Sequence, residues 1–215
     1  MNFDNFEIVD KFKSKKNDVF KILCNFYGEK NFFVLKRFLD SDKMNKEIQI
    51  LKELKNNHLK VPEIFHVKNN NLIMEFIDGK TFLDIFEELE KSNSSDYKNL
   101  IDNLLHWLEN FYTFTKIKFD KQIILGDIHL RNFLFSKEIY GIDFEDTKFG
   151  TIEEDIGKLC AFILTYDPSW TTWKKTFSEI LTNKSIKLFK IDESLITLET
   201  QKELNEIEKR RNLKK

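Results

Sequence analysis

Apolar residues follow two regimes along this chain, and the change falls near Asp78-Gly79. Before it, short runs rich in Phe, Val and Ile stand at 6–12, 19–26 and 32–38, separated by turn-forming residues at 14–18 and 28–31. That spacing predicts an antiparallel meander. Asp42 to Asn56 then carries Met44, Ile48, Leu51 and Leu54 at near-helical spacing, with Ser41 or Asp42 as the expected cap. Two more strands are predicted at 63–67 and 72–77, joined by the Asn69-Asn70-Asn71 turn. Five strands and one inserted helix result.

Beyond Gly79 the period becomes helical. Helices are predicted over 81–91 and 96–116, the second with Leu100, Leu104, Leu108 and Phe111 in one stripe. Short strands at 123–125, 133–135 and 140–143 interrupt them, and helices resume over 151–166, 167–181 and from 198 onward. Thr151 with Glu154 fits a capping box, and Pro168 fits a first helical position.

Composition narrows the partners more than the fold. A chain of 215 residues can bury one good core, divided into two lobes that share a cleft. Lysine and arginine total 35 against 36 acidic residues, so no global field selects nucleic acid or an anionic membrane. Cys24 and Cys160 lie far apart in apolar segments without metal-ligand spacing, and read as reduced core residues. Residues 1–10 carry acids where a secretion signal needs a basic start, and no later run is apolar enough to span a bilayer. A soluble cytoplasmic protein without integral membrane association is expected.

The sharpest chemistry lies in Gly126-Asp127-Ile128-His129-Leu130-Arg131-Asn132, followed by a hairpin and then Asp143-Phe144-Glu145. An Asp and an Asn five residues apart, with a further Asp past the next hairpin, can converge from adjacent loops. An amide oxygen and a carboxylate suit a hard divalent cation on phosphate oxygens, and a second carboxylate suits the attacking hydroxyl. The plain alternative is two polar turns flanking a hairpin.

These residues resemble the protein-kinase-like superfamily, in its small atypical members. Asp127 to Asn132 matches the catalytic loop, and Asp143 to Glu145 the metal-binding motif. Gly-Asp-Ile-His is similar to the Gly-Asp-Leu-His of aminoglycoside, choline and lipopolysaccharide-core kinases. The resemblance implies an α+β, two-lobed protein-kinase-like fold: a five-stranded N-terminal lobe with one helix over 1–77, a short, mainly helical C-terminal lobe over 78–215, and a hinge near 75–79. It also implies ATP with Mg2+ or Mn2+, Asp127 as catalytic base, and Asn132 and Asp143 as metal ligands.

Carried further, the resemblance makes Lys36 the phosphate-anchoring lysine, its ammonium in a solvated cleft, with Glu47 as ion-pair partner and Glu53 as the alternative. A surface lysine near a strand end is the plain reading. Met74 becomes the gatekeeper, and main-chain groups of Glu75 and Ile77 face the adenine edge. Val19, Val34 and Leu134 sandwich its faces, although the same residues serve as ordinary core. Asp155 resembles the aspartate that braces the catalytic loop, or simply favours a helix N-terminus.

Departures from the pattern are specific. The loop over 13–18 has no glycine, with Ser14 and Asn17 at two of the usual places. Leu125 replaces the histidine before Gly-Asp, and Glu145 replaces the glycine of the metal motif. His129 reads as a structural hydrogen-bonder or a phosphate contact, and Arg131 as a phosphoryl contact or a solvent-facing cation. Lys209, Arg210, Arg211, Lys214 and Lys215 form a basic tail, a solvated helix end. The small kinase of the tRNA-modifying KEOPS complex also ends in a basic tail, which suggests a protein or tRNA-modification partner instead.

The implied activity is transfer of the gamma phosphate of ATP to a hydroxyl. Only residues 146–154 separate Glu145 from Asp155, with Thr147 as the one candidate phosphorylation site, since Thr151 is read as a cap. That leaves no room for a long activation segment and points to a small-molecule, sugar or lipopolysaccharide-type acceptor. The alternative is a KEOPS-like atypical serine/threonine protein kinase or ATPase, and the second alternative a non-catalytic pseudokinase that binds a partner.

Overall fold

Phe20, Ile22 and Cys24 alternate along one strand, and Phe33 and Leu35 along the next, so every second side chain falls on one apolar face. The computed structural model describes residue 3 and residues 5–213. It places these side chains in a five-stranded antiparallel sheet of order β1-β2-β3-β5-β4, where β1 is Phe6–Phe12, β2 Asp18–Phe26, β3 Glu29–Arg37, β4 Ile64–Lys68 and β5 Asn71–Glu75. Phe3 and Ile73 complete the buried cluster, and Phe6, Phe26 and Phe65 pack against it. The opposite face of β2 and β3 carries Val19, Val34 and Lys36, and the register sets Val19 beside Lys36 and Val34 beside Met74.

Helix α1, Ser41–Asn56, buries Met44, Ile50, Leu51 and Leu54, and with them Glu47. Its cap is neither Ser41 nor Asp42 but Asp40, whose carboxylate accepts the amides of Asp42 at 2.8 Å and Lys43 at 3.3 Å. An Asp one position earlier in extended conformation reaches the orphan amides of the first turn, which a residue inside the helix does not.

The chain forms two compact units. The first comprises residues 1–79 with 140–145, and the second 80–139 with 146–215. Within the first, the segment 140–145 is tied in by the Gly141 amide, which donates to the Lys60 carbonyl at 3.1 Å.

The second unit is mainly helical. It contains β6 (Lys80–Thr81), α2 (Phe82–Lys91), α3 (Tyr97–Phe119), β7 (Ile123–Ile124), a 3-10 turn over Leu130–Asn132 and β8 (Phe133–Phe135). After β9 (Ile139–Gly141), which carries the chain into the first unit, come β10 (Lys148–Phe149), α4 (Ile152–Thr165), α5 (Thr172–Phe189) and α6 (Glu193–Asn212). Helix α3 buries the expected stripe together with Trp107 and Tyr112, and Trp107 packs edge-on against Phe133 at 5.4 Å. Helix α6 lies close on α4 because Gly157 has no side chain: a Cβ there would stand 2.6 Å from the Glu199 Cβ. The family-like fold expected from the sequence is therefore the fold found, an α+β kinase-like architecture.

Two helix starts differ from expectation. Pro168 is not a first helical residue; it follows a cis peptide bond in a bend, and α5 begins at Thr172 under a Thr171 cap that accepts the Lys174 amide at 3.2 Å. Helix α6 begins at Glu193, not near 198, because the Asp192 carboxylate caps the Ser194 amide at 2.7 Å. Thr151 and Glu154 do form their capping box.

Candidate active site

Each unit carries one set of the residues singled out above. In the first unit the set centres on an ammonium. Lys36 Nζ lies 2.6 Å from Glu47 Oε2, 2.7 Å from Asp143 Oδ1 and 3.1 Å from Glu145 Oε2, and also stands over the Phe38 ring at 4.7 Å. Glu47 is thus the partner, and Glu53 is not. The solvated setting expected for Lys36 is corrected: the residue is 5% exposed, because the three carboxylates let a charged head stay inside the unit. Glu47 and Glu145 are buried as well, whereas the Asp143 side chain is 42% exposed. Asp143 has φ of 66°, in the left-handed region that Asp tolerates better than most residues.

One cation faces three carboxylates. Burial works against the Lys36 ammonium, but Glu47, Asp143 and Glu145 outweigh it and raise its pKa above the ordinary lysine range. Burial raises the Glu47 carboxyl to about 7 despite Lys36, with Asp143 and Glu145 adding to the push. The two shifts have different leading causes: the surrounding carboxylates raise Lys36, and loss of water raises Glu47. Oxygens of Glu47, Asp143 and Glu145 all lie within 4.8 Å of one another, a hard donor set suited to a divalent cation.

Glu145, which stands where the family motif has glycine, has a second partner. It accepts a hydrogen bond from Asn17 Nδ2, and Asn17 Oδ1 accepts the Leu39 amide at 3.3 Å. The sequence placed Asn17 in the phosphate-cover loop and Glu145 in the metal motif, each where the family has glycine, with no sign that the two would meet. Met74 and Ile77 are buried, and Val19 and Val34 half-buried. The Glu75 amide donates to the Glu63 carbonyl at 2.8 Å, so its N–H is committed within the sheet.

The second unit holds the loop of Asp127. Asn132 ends the 3-10 turn, its amide bonded to the His129 carbonyl at 2.9 Å and its Nδ2 to the Asp127 carbonyl at 2.8 Å. With the amide nitrogen committed to the backbone, Oδ1 is the atom this side chain can present to a cation. Gly126 has φ of +75°, and a Cβ there would stand 2.4 Å from the Asp146 carbonyl oxygen, so only glycine fits.

Asp155 braces this loop. Its carboxylate accepts the Leu125 amide at 2.7 Å, the Gly126 amide at 3.0 Å and the Tyr112 hydroxyl at 2.9 Å. Of the two readings offered for Asp155, the brace is the one the geometry supports. Burial pushes its carboxyl up to about 6, against the opposing pull of those three donors and of Lys158. Lys158 itself donates to the Gly126 carbonyl.

His129 packs edge-on against Phe162 at 5.7 Å, and Arg131 is exposed with its guanidinium 5.7 Å from the Tyr166 ring. The Tyr166 oxygen accepts the Leu130 amide at 3.3 Å, and burial pushes its phenol up to about 12. Leu134 is half-buried on β8, where it pairs with Thr81. The stretch after Glu145 is used structurally: Lys148 and Phe149 pair with Ile124 and Ile123, and Thr147 is 4% exposed.

In the basic tail, Lys209 pairs with Glu206 and Arg210 with Glu203, and Arg211 donates to the Thr165 carbonyl at 2.6 Å. Lys214 and Lys215 lie outside the described residues. Among the described residues no helix is long and apolar enough to cross a membrane, and neither cysteine is in a disulfide.

Compared with known families, the chain matches the model described as the RIO domain over residues 9–147, well over half of its length. No curated protein matches it.

Proposed function

The chain belongs to the RIO domain family, an atypical protein-kinase-like family, and from that premise we propose that it binds ATP with a divalent cation and works as an atypical protein kinase or ATPase. The observation that carries the reading is the Lys36 cluster, in which a lysine from β3 is held by a glutamate from α1 and by Asp143. Such an ammonium is a fixed positive charge for the α and β phosphates.

Roles follow from the chemistry of each group. Asp127 would accept the proton of the attacking hydroxyl or orient an attacking water, on a loop held still by Asp155. The family resemblance assigns magnesium or manganese to Asn132, through Oδ1, and to Asp143, and the cation spreads the charge of the phosphate oxygens when bound. Glu75 would meet the base through its carbonyl, since its N–H is used, and Ile77 through its amide. Val19, Val34 and Met74 would line the base site within the first unit, and the family resemblance gives Leu134 of the second the same role.

A small hydroxyl acceptor draws no support from the family, which favours the protein kinase or ATPase reading. The short stretch 146–154 fits an enzyme active without a phosphorylated activation segment. A purely binding pseudokinase has little use for Lys36, Glu47, Asp127, Asn132 and Asp143 together.

The test is ATP turnover by the purified chain with and without magnesium or manganese, read as ADP release and as phosphate incorporated into protein. Metal-dependent turnover that Asp127→Asn abolishes is expected. Nucleotide binding without turnover under any metal would favour the pseudokinase, and transfer to sugars alone would restore the small-molecule acceptor.

A further inference from the structure

The loop between β1 and β2 presents Lys13, Lys15 and Lys16 where a glycine-rich cover would present bare amides. Its lysines are exposed, and its base is closed by an ion pair between Lys11 and Asp18 at 2.6 Å. Without glycine, such a loop gains little from close backbone approach to phosphate. Long cationic side chains can act at greater reach, provided the loop that carries them is held in place.

Asn17 holds it. Its Oδ1 accepts the amide of Leu39, at the junction of β3 and α1, and its Nδ2 donates to Glu145 Oε2. That same Oε2 is 3.1 Å from Lys36 Nζ. Glu145 is 2% exposed, so its carboxylate has lost most of its water and its few partners fix its position. An ammonium has three protons, and here three carboxylates surround it; Glu145 is the most distant of them.

We propose that Asn17 and Glu145 are positioning residues that pin the lysine-bearing β1–β2 loop to the Lys36 cluster, so that this loop grips the phosphates of the nucleotide by charge. The inference rests on the nucleotide-binding reading above. It differs from an ordinary structural brace in one respect: the grip acts on phosphates, so its loss grows with their number and spares the nucleoside.

The experiment measures dissociation constants of the full chain for MgATP, MgADP and adenosine by calorimetry, with thermal unfolding as a control. Wild type binding none of the three overturns the nucleotide-binding reading itself, and the pin falls with it. Where wild type binds MgATP, Asn17→Ala is expected to weaken MgATP about tenfold, 1.4 kcal/mol, to weaken MgADP less, and to leave adenosine unchanged.

A double-mutant cycle isolates the hydrogen bond. Glu145→Ala removes the acceptor, so in that background the pin is already lost, and adding Asn17→Ala is expected to cost little further MgATP affinity, against about tenfold in the wild-type background. Equal losses for all three ligands, no loss at all, or the same further loss in the Glu145→Ala background would overturn the proposal. Should Asn17→Ala fail to fold, Asn17→Asp decides alone: it keeps the acceptor for the Leu39 amide, sets a carboxylate against Glu145, and is expected to give the same loss graded by phosphate number.

Discussion

Replacing Lys36 by Met removes the ammonium from a cluster of three carboxylates while keeping most of the side-chain volume. In the wild type the ammonium lies 2.6 Å from Glu47 and 3.1 Å from Glu145, and the side chains of both acids are 2% exposed. Breaking a buried pair by taking away one partner typically costs about 3–5 kcal/mol, because a desolvated charge is left behind. Part of that cost is avoidable: Glu47, already raised to about 7 by burial, rises further once the ammonium is gone and takes up a proton at neutral pH. A loss of about 3 kcal/mol at pH 7.5 is therefore expected, roughly 6–12 °C in Tm for a chain of this size. The sign with pH follows from the raised folded-state value: stability from a protonated Glu47 is full below its ordinary 4.5 and falls as pH rises, a fall that ends near 7 in the wild type and continues above 7 in the variant, which has no ammonium to hold the carboxyl down. The variant should lie closer to wild type at pH 5.5 than at pH 7.5. Urea and thermal unfolding followed by circular dichroism, in EDTA and then in magnesium, read both effects, and magnesium should recover part of the loss by standing among the carboxylates. Wild-type stability of the variant at pH 7.5 in EDTA would refute the buried cluster.

Asp155→Asn should destabilise the chain at neutral pH by on the order of 2–3 kcal/mol, and by more at pH 4, since an amide nitrogen would face the Leu125 or Gly126 amide. Because the Asp155 carboxyl is raised to about 6, its contribution to stability falls as pH rises from about 4 to about 6 and is flat above; urea titrations should show that slope in wild type and not in the Asn variant. Gly157→Ala forces a methyl to within 2.6 Å of Glu199 Cβ and should cost about 1–3 kcal/mol, read by thermal unfolding; unchanged stability would contradict the close packing of α6. Asp143→Ala should weaken magnesium-dependent ATP binding more than Asp127→Ala does, and equal losses in calorimetry would refute the division of roles. Phosphatase treatment, checked by mass spectrometry, should leave turnover undiminished, because Thr147 is buried.

Local periodicity made both halves of the chain legible. Alternation at Phe20-Ile22-Cys24 and Phe33-Leu35 announces a one-faced sheet, and the Leu100 to Phe111 stripe announces α3, because a period of two and a period of 3.6 each specify which side is buried. Spacing within one loop likewise placed Asp127 and Asn132, since five residues of chain settle their proximity. Helix starts were less legible: Asp40 and Asp192 cap through backbone angles that neighbouring Ser and Asp residues could equally have adopted.

Partnerships across long sequence separations were decided by the tertiary structure alone. Nothing near Asn17 indicates that its amide meets Glu145, 128 residues away, or that Lys36 faces three carboxylates rather than one. The burial of Lys36 is of the same kind. A lysine head can stay inside a protein only when other segments bring it enough opposite charge, and that sum is fixed by packing and not by the residues beside it.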